Sequence, residues 1–315
     1  MNPALPQAAH VALRARLRAA LQPGWRTRFA PAPTGRLHLG HAVNAVFVWS
    51  IARAFGGLVL VRIEDHDRLR ARDEFDRGIL EDLEWLGLHG DNLAAGFPAP
   101  LRQHADPAPF HAALDALDRD GRIYPCRCSR RQIAVDGTGP DALERRYPGT
   151  CRLARVPADE TPARRVRIDD GVVLFDDLRH GTLHQVPAAQ CGDLLVRDRN
   201  GHWTYQFAVV VDDIRQDVRL IIRGDDLLDS TGRQLLLGGM LGRTVAPLVL
   251  HHPLVTRPDG AKLSKSTGDT ALCELRAAGW SAERALGHAA FLGGLQATPS
   301  PLGARDLASL WDGWR

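Results

Sequence analysis

Short apolar stretches alternate with helix-length segments over most of the chain, the rhythm of an α/β fold. Thr27 to Phe29 reads as a strand, followed by the breaker cluster Pro31-Ala32-Pro33-Thr34-Gly35 and a helical run from about Gly40 to Phe55. A strand, a turn and a helix start open a doubly wound domain. Leu58 to Ile63 forms a second strand that ends at Glu64-Asp65, and helices are predicted from about Asp73 to Leu86 and from Ala108 to Asp118. From 121 to about 192 the rhythm breaks into loops, a cysteine cluster and short strands such as Val172 to Phe175, so this stretch reads as an insertion. Asp193 to Val196 resumes it. A helix near Gln206 to Val211, a strand at Arg219 to Ile222, a helix at Ser230 to Met240 and a strand at Leu248 to Leu254 follow. The last 45 residues are alanine-rich and helical in pattern, and no internal repeat is present. Residues 1–24 carry Arg14, Arg16 and Arg18 without an acid and lack a long apolar run, which predicts a surface helix ending at Pro23-Gly24 rather than a secretory signal.

The division that results is an N-terminal extension (1–24), a Rossmann-like catalytic domain in two pieces (25–120 and 193–270), an inserted subdomain (121–192) and a helical C-terminal region (271–315). A length of 315 residues accommodates that arrangement. No apolar run approaches the roughly 20 residues needed to span a bilayer, so no membrane association is expected. Five cysteines in such a chain argue for a reducing compartment, hence a cytoplasmic protein, and a monomer is the simplest expectation.

Charge sharpens the picture. A net charge of +3 leaves any nucleic-acid partner to a local patch. Of the 40 basic residues only Lys262 and Lys265 are lysine, three apart in one loop. Arginine does not replace lysine where a slim ammonium must follow a moving phosphate. No acid precedes Glu64, so the first 63 residues present only positive or neutral groups, which suits a phosphate site.

The stretch Gly35 to His41 has the glycine spacing of a Walker A loop, but His41-Ala42 stands where Lys-Ser/Thr is required, and the dinucleotide pattern G-x-G-x-x-G is absent. What remains is His38-Leu39-Gly40-His41 at the amino end of a helix, where free N–H groups and the dipole favour an anion and two imidazoles add donors. Gly40 lets the backbone approach a nucleotide closely.

His38-Leu39-Gly40-His41 early and Lys262-Leu263-Ser264-Lys265-Ser266 late resemble the two signatures of class I aminoacyl-tRNA synthetases. Arg28-Phe29-Ala30-Pro31-Ala32-Pro33-Thr34-Gly35, Arg62-Ile63-Glu64-Asp65, Tyr205 to Asp213 and Arg223-Gly224-Asp225-Asp226-Leu227 look like the glutamyl branch of that class. The resemblance runs from about residue 26 to 270, and only about 45 residues follow, where a discriminating glutamyl-tRNA synthetase continues into a helical anticodon-binding domain. A catalytic half without that domain is similar to the glutamyl-queuosine tRNA(Asp) synthetases. The family also carries Cys-x-Cys and Tyr-x-x-x-Cys as a zinc site, and Cys126, Cys128, Tyr147 and Cys151 match it. Read without the family, three thiols and a phenol are an incomplete zinc set, with buried free cysteines as the alternative and Cys191 or a nearby histidine as another possible fourth ligand. Cys273 reads as a packed or surface thiol.

The resemblance implies an α/β class I synthetase catalytic domain with a zinc-containing insertion, which activates L-glutamate with ATP and Mg²⁺ and transfers it to queuosine in the anticodon of tRNA(Asp). It implies His38, Gly40, His41 and Lys265 around ATP, with Lys265 the main ammonium on the phosphates and Lys262 its weaker partner. For glutamate it implies Arg28 and Arg223 on carboxylates, Glu64 on the ammonium, a Tyr205 hydroxyl and the loop Phe29-Ala30-Pro31-Ala32. Ala32 stands where relatives usually have serine, so a hydroxyl contact is missing. Taken singly, each arginine also fits a surface ion pair. Three other readings stay open: a shortened synthetase charging the 3′ end of tRNA(Glu), a catalytically silent zinc-containing RNA-binding module, and a nucleotidyl transferase acting on another carboxylate.

Overall fold

The computed structural model describes residues 7–312 apart from 68, 130, 134–145, 158, 161–162 and 256–269. Lys262 and Lys265 therefore lie outside the described residues.

Strand β1 (Arg26–Phe29) pairs in parallel with β2 (Leu58–Ile63), and β2 with β3 (Leu101–Arg102). Helix α1 (Gln7–Ala20) comes before β1; between β1 and β2 the chain crosses over through helix α2 (Leu39–Ala54), and α3 (Asp73–Leu86) connects β2 to β3. Helix α2 is apolar nearly all round because the C-terminal segments pack on it as well as the sheet. Helix α4 (Ala108–Arg119) leads into a small antiparallel sheet of β4 (Ile123–Pro125), β5 (Arg164–Val166) and β8 (Leu194–Arg197), with the short helix α5 (Thr150–Leu153) in the same region.

The antiparallel hairpin β6 (Val173–Asp177) and β7 (Gly181–Gln185) joins the other large sheet, in the order β7-β6-β10-β9, where β9 spans Leu220–Gly224 and β10 Leu248–His252. A short helix α6 (Pro187–Gln190) follows β7, α7 (Tyr205–Arg215) precedes β9, and α8 (Thr231–Met240) connects β9 to β10. The two large sheets meet where Arg26 bridges Val218 in parallel and the Arg219 N–H donates to the Arg26 carbonyl at 2.8 Å. Together they form one surface in the order β3-β2-β1-β9-β10-β6-β7. The order reverses between β1 and β9, the switch point at which doubly wound sheets bind ligands at the carboxyl ends of their strands.

Sheet membership is not sequential. Val173–Asp177 adds a strand to the central sheet, paired to β10 through Asp177 and Val249. Leu194–Arg197, read from the sequence as the resumption of the catalytic rhythm, instead pairs with β5 in the small sheet, its Leu194 and Val196 packing with Phe110, Leu117 and Phe207. Strand pattern reveals an extended segment but not its neighbour.

After residue 270 come α9 (Leu272–Ala277), α10 (Ala282–Leu292) and a 3₁₀ helix over Ala304–Trp311. Trp311 is buried and donates its indole N–H to Ser50 Oγ of α2 at 2.9 Å, and the His10 ring of α1 stacks on it at 4.8 Å. The two ends of the chain thus close over the same helix. No helix among the described residues is long and apolar enough to cross a membrane.

Candidate active site

His38 caps α2. Its Nδ1 accepts the Gly40 N–H at 3.1 Å, and His41 Nδ1 accepts the His38 N–H at 3.1 Å, a reciprocal capping box built from imidazoles. A ring nitrogen that accepts a backbone N–H carries no proton, so each neutral ring has its proton on Nε2 and serves as a donor there. The rings lie 4.0 Å apart at a helix N-terminus, where donors and dipole both favour an anion. Gly40 is glycine for a local reason: a Cβ would stand 2.9 Å from the His38 ring.

The segment after the lysine loop returns to this motif. Ala271 forms an antiparallel bridge with His38, and the Leu272 N–H donates to the Leu37 carbonyl at 2.9 Å. Cys273 accepts an Arg36 N–H at 3.0 Å and belongs to this junction, partly exposed.

A buried charge network lies at the carboxyl ends of β1 and β2. The Arg28 and Arg62 side chains are 5% and 0% exposed, which removes them from the class of surface ion pairs. Arg28 Nε donates to Asp213 Oδ1 at 3.1 Å; Arg62 donates to Asp213 Oδ1 at 2.8 Å, to Gln216 Oε1 at 2.8 Å and to Glu64 Oε1 at 3.0 Å. Burial pushes the Asp213 carboxyl up, but the Arg28 and Arg62 guanidiniums outweigh it and hold the group below the usual range. Burial opposes the charge on Arg62 likewise, and Asp213, Asp212 and Glu64 together keep its pKa raised. Phe29 points into the core against Trp49, their centroids 5.4 Å apart, so Phe29 itself offers a ligand only backbone. The Pro31 carbonyl accepts the Glu64 N–H at 3.0 Å and ties the loop of Ala30, Pro31 and Ala32 to the end of β2.

Arg223, at the end of β9, is 4% exposed and differs from the other two. Its nitrogens donate to His251 Nε2 at 2.9 Å, Gln234 Oε1 at 2.6 Å and Thr231 Oγ1 at 2.8 Å, all neutral acceptors. His251 Nε2 accepts, so its proton sits on Nδ1 and points to Asp177 Oδ2 at 2.7 Å. Burial lowers the His251 pKa against the Asp177 hydrogen bond, keeping the ring neutral. The Arg223 guanidinium is consequently held in place without a carboxylate in its hydrogen-bonding shell, and burial lowers its pKa, the Tyr205 phenol partly offsetting this. Burial, reinforced by Glu64, raises the Tyr205 phenol, which stays protonated. A desolvated cation of this kind is a receptor for a carboxylate.

In the small-sheet region the sulfurs of Cys126, Cys128 and Cys151 lie within 4.8 Å of one another. Cys128 Sγ is 3.4 Å from Cys151 Sγ, close to the roughly 3.8 Å edge of a tetrahedron with 2.3 Å bonds. Tyr147 Oη approaches Cys126 Sγ at 3.6 Å and Cys128 Sγ at 3.8 Å, so three thiols and a phenol converge. Arg165 Nε donates to Cys126 Sγ at 3.2 Å, and its guanidinium lies 3.6 Å from the Tyr147 ring centroid, a positive charge placed to support thiolates. Cys191 is not in the cluster: its thiol faces the Pro187 carbonyl at 3.1 Å, and burial pushes its pKa up to about 12. Its own carbonyl accepts the Tyr147 N–H at 2.9 Å, so it positions a cluster member through the backbone.

Comparison with known proteins decides the family. The model of the class I tRNA synthetases (E and Q), catalytic domain, matches residues 25–293. The chain belongs to this family. The synthetase is 42% identical over 297 residues to the glutamyl-Q tRNA(Asp) synthetase of Symbiobacterium thermophilum, covering 90% of this chain and 91% of the relative. It is 44% identical over 303 residues to the protein of the same name from Ralstonia nicotianae, covering 91% and 93%. A glutamate–tRNA ligase 2 of Syntrophus aciditrophicus is 38% identical over 279 residues, 85% of this chain and 57% of that protein. Among solved structures, the glutamate tRNA ligase from Elizabethkingia meningosepticum in complex with its amino acid superposes with a TM-score of 0.74 at 23% identity, over 90% of this chain and 64% of that one, a likeness of fold. The synthetase is a ligase of the aminoacyl-tRNA class.

Four residues of the synthetase site had no assigned role on sequence alone. Asp213 and Asp212 follow Tyr205 on α7 by eight and seven residues, two helical turns, so one face of one helix carries the phenol and both acids. That spacing is a legible signal. His251 and Asp177 had none, because the contact joins residues 74 apart across β6 and β10.

Proposed function

We propose that the synthetase activates glutamate with ATP to glutamyl-adenylate and transfers glutamate to queuosine in the anticodon of tRNA(Asp). The observation that carries the amino-acid assignment is Arg223, a buried guanidinium with neutral partners, on a site that also holds Glu64 and Tyr205. Arg223 takes a carboxylate, Glu64 the α-ammonium, and Tyr205 a hydrogen bond from its hydroxyl. Arg28, committed to Asp213, acts through that pair and the field it sets rather than by direct capture.

The α-carboxylate needs no base, being ionised near neutral pH. One of its oxygens bonds to the α-phosphorus while the bond to pyrophosphate breaks, and charge grows on the leaving group. His38 and His41 donate from Nε2 at the α2 N-terminus, and Lys265 with Lys262 follows the departing charge. Mg²⁺ bound with ATP would screen its phosphate oxygens. Cys126, Cys128, Cys151 and Tyr147 fit one structural Zn²⁺, which would tie β4, the Tyr147 segment and α5 together.

Support for the queuosine acceptor comes from the names of the relatives matched over more than nine-tenths of their length. The glutamate–tRNA ligase relative favours a second reading, charging of the 3′ end of tRNA(Glu). Glutamate-dependent ATP–pyrophosphate exchange, followed by labelling of tRNA(Asp) with and without queuosine, tests both. Exchange in wild type, loss of 100-fold or more in Lys265→Ala and stable label only on the modified tRNA are expected. Label on tRNA(Glu), or on tRNA(Asp) lacking the base, overturns the acceptor.

A further inference from the structure

Activation uses a carboxylate that has already lost its proton; transfer does not. The attacking group is a neutral hydroxyl, so a proton must leave as the new bond forms. His66 stands near the site without a part in activation. It follows Glu64 by two residues at the carboxyl end of β2, half-buried, its ring centroid 6.4 Å from that of Tyr205.

The ring's protonation is set by a chain of partners. Asp212, whose side chain is fully buried, accepts a hydrogen bond from Gln103 Nε2 at 2.7 Å. An ionised carboxylate only accepts, so the Gln103 amide is oriented with its oxygen away from Asp212. That oxygen lies 2.6 Å from His66 Nδ1, which must then carry the proton. The lone pair is left on Nε2, which no described residue engages. A carboxylate, a relay and an imidazole with a defined tautomer are the parts of an oriented general base. Four other imidazoles are committed elsewhere: His104 to Asp65, His251 between Asp177 and Arg223, and His38 and His41 at the α2 cap.

We propose that His66 Nε2 is the general base of the transfer step, an inference that rests on the acceptor reading above. The hydroxyl oxygen of the acceptor bonds to the glutamyl carbonyl carbon, and its proton passes to Nε2. The bond from that carbon to the adenylate oxygen breaks, and AMP leaves with the electron pair. The imidazolium returns its proton to solvent.

Two substitutions separate base from scaffold. His66→Asn keeps an N–H where Nδ1 stands and can still donate to Gln103, while His66→Gln places an amide near Nε2; neither can take a proton. Single-turnover transfer from preformed adenylate to queuosine-bearing tRNA(Asp) is measured beside ATP–pyrophosphate exchange in the same preparations. The ratio of transfer to exchange should fall roughly 100-fold or more in both variants. Recovery of the wild-type ratio in His66→Asn, or a ratio within threefold of wild type in both variants, overturns the assignment. Failure of the acceptor reading looks different: wild type exchanges but leaves the queuosine tRNA unlabelled.

Discussion

Gly40 illustrates how a residue type visible in the sequence acquires a different reason in three dimensions. The glycine was expected to admit a nucleotide, whereas the nearest obstacle to a Cβ is the His38 ring. Gly40→Ala should turn that ring out of the cap, cost about 1 kcal/mol of stability and lower pyrophosphate exchange by on the order of 10-fold or more; the exchange rate beside a urea titration reads both. Arg223 makes a sharper case. Arg223→Lys keeps the charge but cannot satisfy Gln234, Thr231 and His251 together in the fork geometry, so the KM for glutamate should rise on the order of 100-fold. Steady-state kinetics with varied glutamate checks it, and an unaltered KM would remove Arg223 from the site. Arg28 and Arg223 were paired in the sequence as like carboxylate receptors. The structure separates them, one bound to Asp213 and one among neutral groups, because contacts between residues 185 apart leave no trace in local spacing.

Helix α7 is the element on which the site turns. It presents Tyr205 at its start and Asp212 and Asp213 two turns on, so the same 11 residues place a neutral phenol and the counter-charges of Arg28 and Arg62. Asp213→Asn leaves two buried guanidiniums under-compensated and should destabilise the protein by about 3–5 kcal/mol, read from the urea midpoint. In the inserted region the cysteine spacing was legible and its convergence was not. Cys151 arrives through α5 and Cys126 through the end of β4, and only the fold brings the three sulfurs within 4.8 Å. Metal analysis of the purified protein should find one zinc per chain, with Cys151→Ala well below that and a lower Tm in the variant. An equal metal content in both would refute the ligand set. Strand membership was the weakest inference at this scale, since Leu194–Arg197 and Val173–Asp177 each carry apolar positions compatible with either sheet.

Across the whole molecule, several histidines are buried as neutral rings. Burial pushes His252 down to about 4, and His10 and His251 are also lowered. The unfolded chain takes up these protons first, near pH 6.5, so stability is lost as pH falls from about 6.5 toward about 4, about 3 kcal/mol of it at His252. Asp213, with a depressed pKa, gives way only in stronger acid. Urea unfolding across this range should show the slope, and His252→Leu, beside Phe47, should flatten it. By itself the sequence determined the α/β class, the helix that begins at His38-Leu39-Gly40-His41, the identities of the charged and thiol side chains and the family they resemble, because periodicity, caps and motif spacing are local properties of the chain. Tertiary structure alone decided that the hairpin of the 121–192 stretch joins the central sheet, that Arg223 sits among neutral partners while Arg28 is neutralised, and which nitrogen of each imidazole carries its proton. Those outcomes depend on pairings between distant segments, where burial strengthens every charge and hydrogen bond and only the complete set of neighbours settles their balance.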